Sequence, residues 1–230
     1  MNIPAIFSVP LRSAIAAFAL LAVVAVSGCV ETRFESPLGD NIESCDVHWK
    51  GLWIGDEPEK ASDGANHVSA FQVDDECRFL VLDQVENGGP LKPIHVPLNY
   101  VHDRGNDYLV VSDAQIKGLV EIPPPYAIEP KPEKSFYFAR YRVRGDRIEL
   151  YDVDSEKVAK LVIDAKAEGT INKTGTDLHV YVRGNRAQML ELVRKYPIFV
   201  DKASVLVRSN QSVEDFEKSL IARQRKARKP

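Results

Sequence analysis

The chain has 230 residues, of which 44% are hydrophobic, 27% charged and 8% aromatic, and it carries a net charge of −3. That composition excludes a disordered tail protein, a collagen-like fibre and a polytopic membrane protein. The near-neutral balance gives no bulk basic field for nucleic acid, and three cysteines are too few for a disulfide scaffold.

Residues 1–28 read as a leader rather than as fold. Arg12 is their only charged side chain, and every residue from Ala14 to Val26 is apolar. A helix of that length spans roughly 20 Å, short of the ~30 Å hydrocarbon core, so a signal-peptide apolar region fits better than a spanning anchor. The run ends in Val26-Ser27-Gly28-Cys29, which resembles a bacterial lipobox. The resemblance implies a diacylglyceryl thioether on Cys29, cleavage before it, and acylation of the new amino group. A plain secretory signal with a chance cysteine is the alternative. Val30 follows Cys29 where inner-membrane retention would place Asp, which by the enterobacterial sorting pattern implies the outer membrane. Residues 31–44 are polar and weakly patterned, and 29–44 is expected to form a tether.

Cys45 and Cys77 remain after lipidation. In an oxidising periplasm the two are a disulfide candidate, two separate buried thiols being the alternative. There is no CxxC to support redox catalysis.

Strands are expected over residues 47–54, 67–73, 77–85 and 107–112, which are rich in Val, Phe, Tyr and Leu. Asp74-Asp75-Glu76 supplies a turn, and the prolines at 90, 93 and 97 allow at best an edge strand over 90–101. The proline-rich stretch 123–134 is expected to be a surface loop or polyproline segment. A hairpin over 135–153 turns on Gly145-Asp146, pairing Tyr141 with Leu150, Arg142 with Glu149 and Val143 with Ile148. That register puts the apolar residues on one face and matches opposite charges on the other. A helix capped by Asp154 or Ser155 follows, carrying Val158, Leu161, Val162 and Ala165 and closed by Gly169. Residues 178–183 and 203–208 read as strands. Between them, Asn185 and Gln188 form a capping box for a helix stopped by Pro197. Ser212 and Asp215 cap a last amphipathic helix with Val213, Phe216 and Leu220 on one stripe. It runs into the basic residues Arg223, Arg225, Lys226, Arg228 and Lys229, while the rest of the chain is acidic.

The sequence carries no HExxH, GxSxG, SxxK, Walker or GxGxxG motif. The histidines at 48, 67, 95, 102 and 179 have no metal-ligand spacing, so no metal or cofactor is expected. Asp152, Asp154 and Glu156 alternate like a calcium loop, but Lys157 and Ile163 stand where that loop needs Gly and Glu. Arg140, Arg142 and Arg144 share one strand face, either as an anion groove or as an exposed face balanced by neighbours such as Glu149.

Trp49-Lys50-Gly51-Leu52-Trp53 contains a GxW at the start of the first strand, similar to lipocalin-type barrels, where the Trp plugs one end. The lipocalin TDY signature is missing, since Leu178 follows Thr176-Asp177. Residues 136–162 and 184–200 resemble a family of uncharacterised bacterial lipocalin-like lipoproteins. The resemblance implies a helix-containing C-terminal half and assigns no activity.

The expected fold is α+β: an antiparallel β-barrel or strongly curved, lipocalin-like sheet with helices in the C-terminal half. It divides into the leader 1–28, the tether 29–44, the barrel-like domain 45–211, and the helix and basic tail 212–230. The expected function is that of a lipoprotein anchored by Cys29 in the outer membrane, binding an envelope ligand or protein without catalysis. An interaction or inhibitor protein, or a hydrolase, is the alternative. Anionic lipid or peptidoglycan is the expected contact of the basic tail, and no nucleic acid is expected.

Overall fold

The computed structural model describes residues 30–56, 59–60, 66–67, 70–84, 90–116, 134–175 and 177–227. The strands are β1 (Val30–Phe34), β2 (Gly51–Gly55), β3 (Glu59–Lys60), β4 (Asn66–His67), β5 (Ala70–Val73), β6 (Phe79–Gln84) and β7 (Leu91–His95). They continue with β8 (Asn99–Asp103), β9 (Asn106–Ser112), β10 (Phe136–Arg144), β11 (Arg147–Asp152), β12 (Gly169–Thr174), β13 (Asp177–Val182) and β14 (Ser204–Ser209). The α-helices are α1 (Asp113–Ile116), α2 (Ser155–Ile163), α3 (Arg186–Lys195) and α4 (Val213–Ala227).

Among the described residues, twelve strands form one mostly antiparallel sheet that does not close, and β3 and β4 pair separately. A meander runs β8-β9-β10-β11-β14-β2-β5-β6-β7. Laid flat, nine strands would measure roughly 40 Å across. Instead the sheet curls, since the Trp49 ring lies 5.9 Å from Phe79 on β6, next to the β7 end, and 6.2 Å from Tyr100 on β8, the other end. One cluster fills the inside of the curl, including Trp49, Trp53, Phe71, Tyr141 and Ile148, none more than 1% exposed.

β10 forks. Its start pairs with β1 at Phe136–Phe34, and further along that edge is taken over by β11. β1 runs parallel to β13, which pairs with β12, and α2 and α3 cover this second layer. On the back of β2, β5 and β6, Leu52, Ala70 and Leu82 are covered by Phe216 and Leu220 of α4. Among the described residues no helix is long and apolar enough to cross a membrane.

The β10–β11 register matches expectation at each pair: Tyr141 opposite Leu150, Arg142 opposite Glu149, and Val143 opposite Ile148. The capping box at Asn185 and Gln188 is present, and Asp154 is the N-cap of α2. β7 ends the strand order, as an edge strand carrying Pro93 should.

Several expectations are corrected. Residues 30–34, expected in the tether, form β1, and both Phe34 and Leu38 are fully buried. Alternation of polar and apolar residues, diluted by charge, masked a strand buried on both sides. The expected strand 47–54 splits into a 3₁₀ turn over Val47–Trp49 and β2. α2 ends at Ile163 rather than near Gly169, because Ala165 takes a left-handed turn at φ 53°, and β12 begins at Gly169. β8 was not expected. It forms a hairpin with β9 through Arg104 and Gly105, both at positive φ. Among the described residues the barrel does not close by hydrogen bonds. The expected loop 123–134 lies outside the described residues except for Lys134.

Candidate binding cleft

β7 and β8 follow one another in the chain but do not pair. Pro97 lies in the link between them and cannot donate to a ladder. The seam they leave is closed in two other ways. Glu43 bridges to Tyr100 through both backbone hydrogen bonds, 2.8 and 2.7 Å, and covers the outer edge of β8. Two residues on, Cys45 is disulfide-bonded to Cys77, which precedes β6. A covalent bond therefore crosses the sheet where strand pairing stops, and it is the pairing the sequence suggested.

Beside this bridge is a cleft of about 500 Å³. Phe79, Val96 and Tyr100 are among the residues lining it. The turn residues Asp75, Glu76 and Arg78 also line it. Arg78 is held by Asp74, with Nε 2.6 Å from the carboxylate, and lies 3.3 Å from Glu76. Cys77 sits at φ 61°, and this left-handed residue completes the turn. Across the seam, the Gln115 carbonyl oxygen accepts from the Ser112 backbone and from the Asn99 amide, at 3.0 and 3.2 Å. His95, exposed at the end of β7, completes a polar mouth over an apolar floor.

Under the floor is a buried polar group that the sequence did not single out. Tyr141 Oη donates to Asp46 Oδ2 at 2.5 Å, and the His48 backbone N–H and ring Nδ1 lie 2.9 and 2.7 Å from Asp46 Oδ1. Burial opposes ionisation of Asp46, yet these hydrogen bonds outweigh it and hold the carboxyl below its ordinary range. Burial, then Asp46, pushes the Tyr141 and Tyr100 hydroxyls far up, so both stay neutral. Neither Tyr100 Oη nor Trp49 Nε1 has a hydrogen-bond partner among the described residues.

The GxW segment is locked at the same end. Trp53 Nε1 donates to the Trp49 carbonyl at 2.6 Å. Arg208 of β14 lies over the Trp53 ring at 4.2 Å and donates to the carbonyls of Lys50 and His48. Gly51 is favoured here by its backbone, at φ 116°, which residues with a side chain rarely adopt, and a Cβ would also displace the Arg208 guanidinium that lies against it. Alternation within ASVLVRS could have placed Arg208 on one face, but nothing in the sequence pointed it at Trp53.

The arginine face of β10 is an exposed face balanced by its neighbours: Arg140 is half-buried, while Arg142 and Arg144 are exposed. Arg140 stacks on Tyr151 at 4.6 Å and on Phe199 at 5.4 Å, Arg142 lies 5.7 Å from Tyr151, and Arg144 pairs with Glu149 at 3.4 Å. Glu149 thus pairs in the sheet with Arg142 but takes its salt bridge from Arg144. In the second layer, Glu31 accepts from Arg33 at 2.7 and 3.0 Å and from Tyr137 Oη at 2.8 Å, with His179 Nδ1 3.5 Å away. Burial works against the Arg33 charge, but the Glu31 carboxylate raises its pKa overall. Among the described residues no group of His, Cys, Asp and Glu could hold a metal ion. Cys29 lies outside the described residues, as do the side chains from Arg223 onward. No family model, curated protein or solved structure matches the chain.

Proposed function

We propose that this protein is a lipocalin-like lipoprotein, held by Cys29 at the periplasmic face of the outer membrane, that binds a protein partner without catalysis. The observation that carries the reading is the filled curl. Large side chains occupy the inside of the sheet, where a lipocalin-type carrier would need an empty cavity. A partner must then be met from outside, and the seam cleft offers the mixture an interface uses: an apolar floor, a charged and amide rim, and a mouth fixed by a disulfide. β7 is a poor template for strand addition, since Lys92 and Pro93 blunt its edge. Recognition is therefore assigned to side chains in the cleft. The cationic end of α4 adds a salt-sensitive contact with anionic lipid or peptidoglycan. Truncation after Ala222 keeps Phe216 and Leu220, and so the fold, while weakening that contact. Equal binding of both forms at low salt would remove this part of the reading.

The test is a photo-cross-linking residue placed at His95, in cells producing the full chain. One discrete protein adduct, absent when the same group replaces Asp146 in the β10–β11 turn, is the expected result. No adduct from His95, or the same adducts from both positions, would contradict the cleft as the binding surface. Fatty-acid labelling that survives Cys29→Ser would contradict the anchor.

A further inference from the structure

We infer that the domain has no tether and sits against the bilayer, with the β12–β13 turn at the level of the lipid headgroups. This rests on the proposed lipidation of Cys29 and adds to it the orientation of the anchored domain. The argument starts from β1. Val30 is already a strand residue, paired with Leu178 at the start of β13. The lipid-bearing residue is its covalent neighbour, one peptide unit and ~3.8 Å away between α-carbons. β1 and β13 run parallel, and Val30, Leu178 and Lys173 form one row across three strands. The next row holds Thr174 and Asp177, and beyond it comes the turn at Gly175. The acyl chains thus leave the protein beside this turn.

The alternative, a tether made by peeling β1 away, would expose Phe34, which is fully buried and stacked on Phe138 at 4.1 Å. It would also break the bidentate Glu31–Arg33 pair from its neighbours Tyr137 and His179. Lys173, exposed in the row of Val30, suits an anionic headgroup region. The opposite end of the same strands, where Gly169, Val182 and Phe34 are aligned, then points away from the membrane. Glu168 next to it is exposed and stands roughly 16 Å from Lys173 along the strand direction.

The experiment uses the full, lipidated chain in vesicles of phosphatidylethanolamine and phosphatidylglycerol that contain a lipid with a headgroup quencher. A fluorophore is attached at Lys173→Cys or at Glu168→Cys. Several-fold stronger quenching at position 173 than at 168 is expected. A Gly/Ser linker of ten residues inserted between Cys29 and Val30, with a root-mean-square span of roughly 16–19 Å, should abolish the difference while leaving the protein on the vesicles. Equal, weak quenching at both positions of a vesicle-bound protein would overturn the seating and leave the anchor standing. Protein that stays off the vesicles and carries no acyl chain would overturn the anchor, and the seating with it.

Discussion

Arg208 and Trp53 are stacked, the guanidinium 4.2 Å from the ring, although the two residues are 155 positions apart in the sequence. The two strands are neighbours with Arg208 directly opposite Trp53. Arg208→Ala removes the stacking and both hydrogen bonds to the 3₁₀ turn, at Lys50 and His48. A loss of about 2–3 kcal/mol is expected in urea unfolding. Arg208→Lys should recover only part of it, because an ammonium cannot stack and fork at once. Full recovery by Lys would show that charge alone matters there.

The disulfide gives a second expectation. Cys45 and Cys77 are 32 residues apart, and closing that loop stabilises by roughly 3–4 kcal/mol in the chain-entropy model. Cys77→Ser, or reduction of the wild type, should lower the urea midpoint by the corresponding amount. It should also make the segment at Glu43 and the neighbouring edge of β8 exchange amide protons faster than β10. Unchanged exchange at Tyr100 would show that the Glu43 bridge alone holds the seam.

Two carboxylates should respond to pH with opposite signs. Asp46 is held below its ordinary range, so its stabilisation is present above the ordinary carboxylate pKa and is lost as pH falls through the folded value. Asp152 is raised to about 6 by burial alone. Its penalty is full above about 6, shrinks as the folded carboxyl takes up its proton, and is absent below the ordinary value of ~4. Asp152→Asn should therefore stabilise the fold by ~1–2 kcal/mol at pH 8 and by nothing at pH 3.5. Asp46→Asn should destabilise it at neutral pH. Urea titrations at the two pH values decide both, and a gain from Asp152→Asn that does not depend on pH would refute the burial argument.

β1 separates the structure most sharply from the expected tether. Phe34→Ala should cost about 3–5 kcal/mol, since the ring is fully buried against Phe138. A tether residue would cost nothing measurable. Wild-type stability in the variant, read by thermal or urea unfolding, would mean that β1 is detached in solution.

What the sequence made legible was local. The β10–β11 register could be read because charge and apolar matches both fail on a one-residue slip, and the caps at Asp154, Asn185 and Ser212 because the residues that satisfy them lie within three positions. β1 was not legible because its partners, β13 and β10, lie more than a hundred residues away, and its Glu31 and Arg33 are accommodated by each other and by Tyr137 of β10. β8 was obscured by the neighbouring prolines, which fix its beginning rather than forbid it. For the candidate site, the bridging cysteines were visible as the only two left after Cys29. The apposition of Tyr100, Tyr141 and Asp46 depends on the curl of the whole sheet, and no spacing encodes it.

The inside of the curl is occupied by the protein's own side chains, which under the proposed function leaves binding to the outside. Native mass spectrometry decides this, on the folded domain from Val30 onward, secreted into the periplasm and purified without detergent. The expected mass is that of the polypeptide with one disulfide and no bound lipophile, unchanged after incubation with excess fatty acid. A stoichiometric lipophile, retained in the wild type and lost on substituting Trp53 or Tyr141, would contradict a filled interior and make the protein a carrier of small molecules.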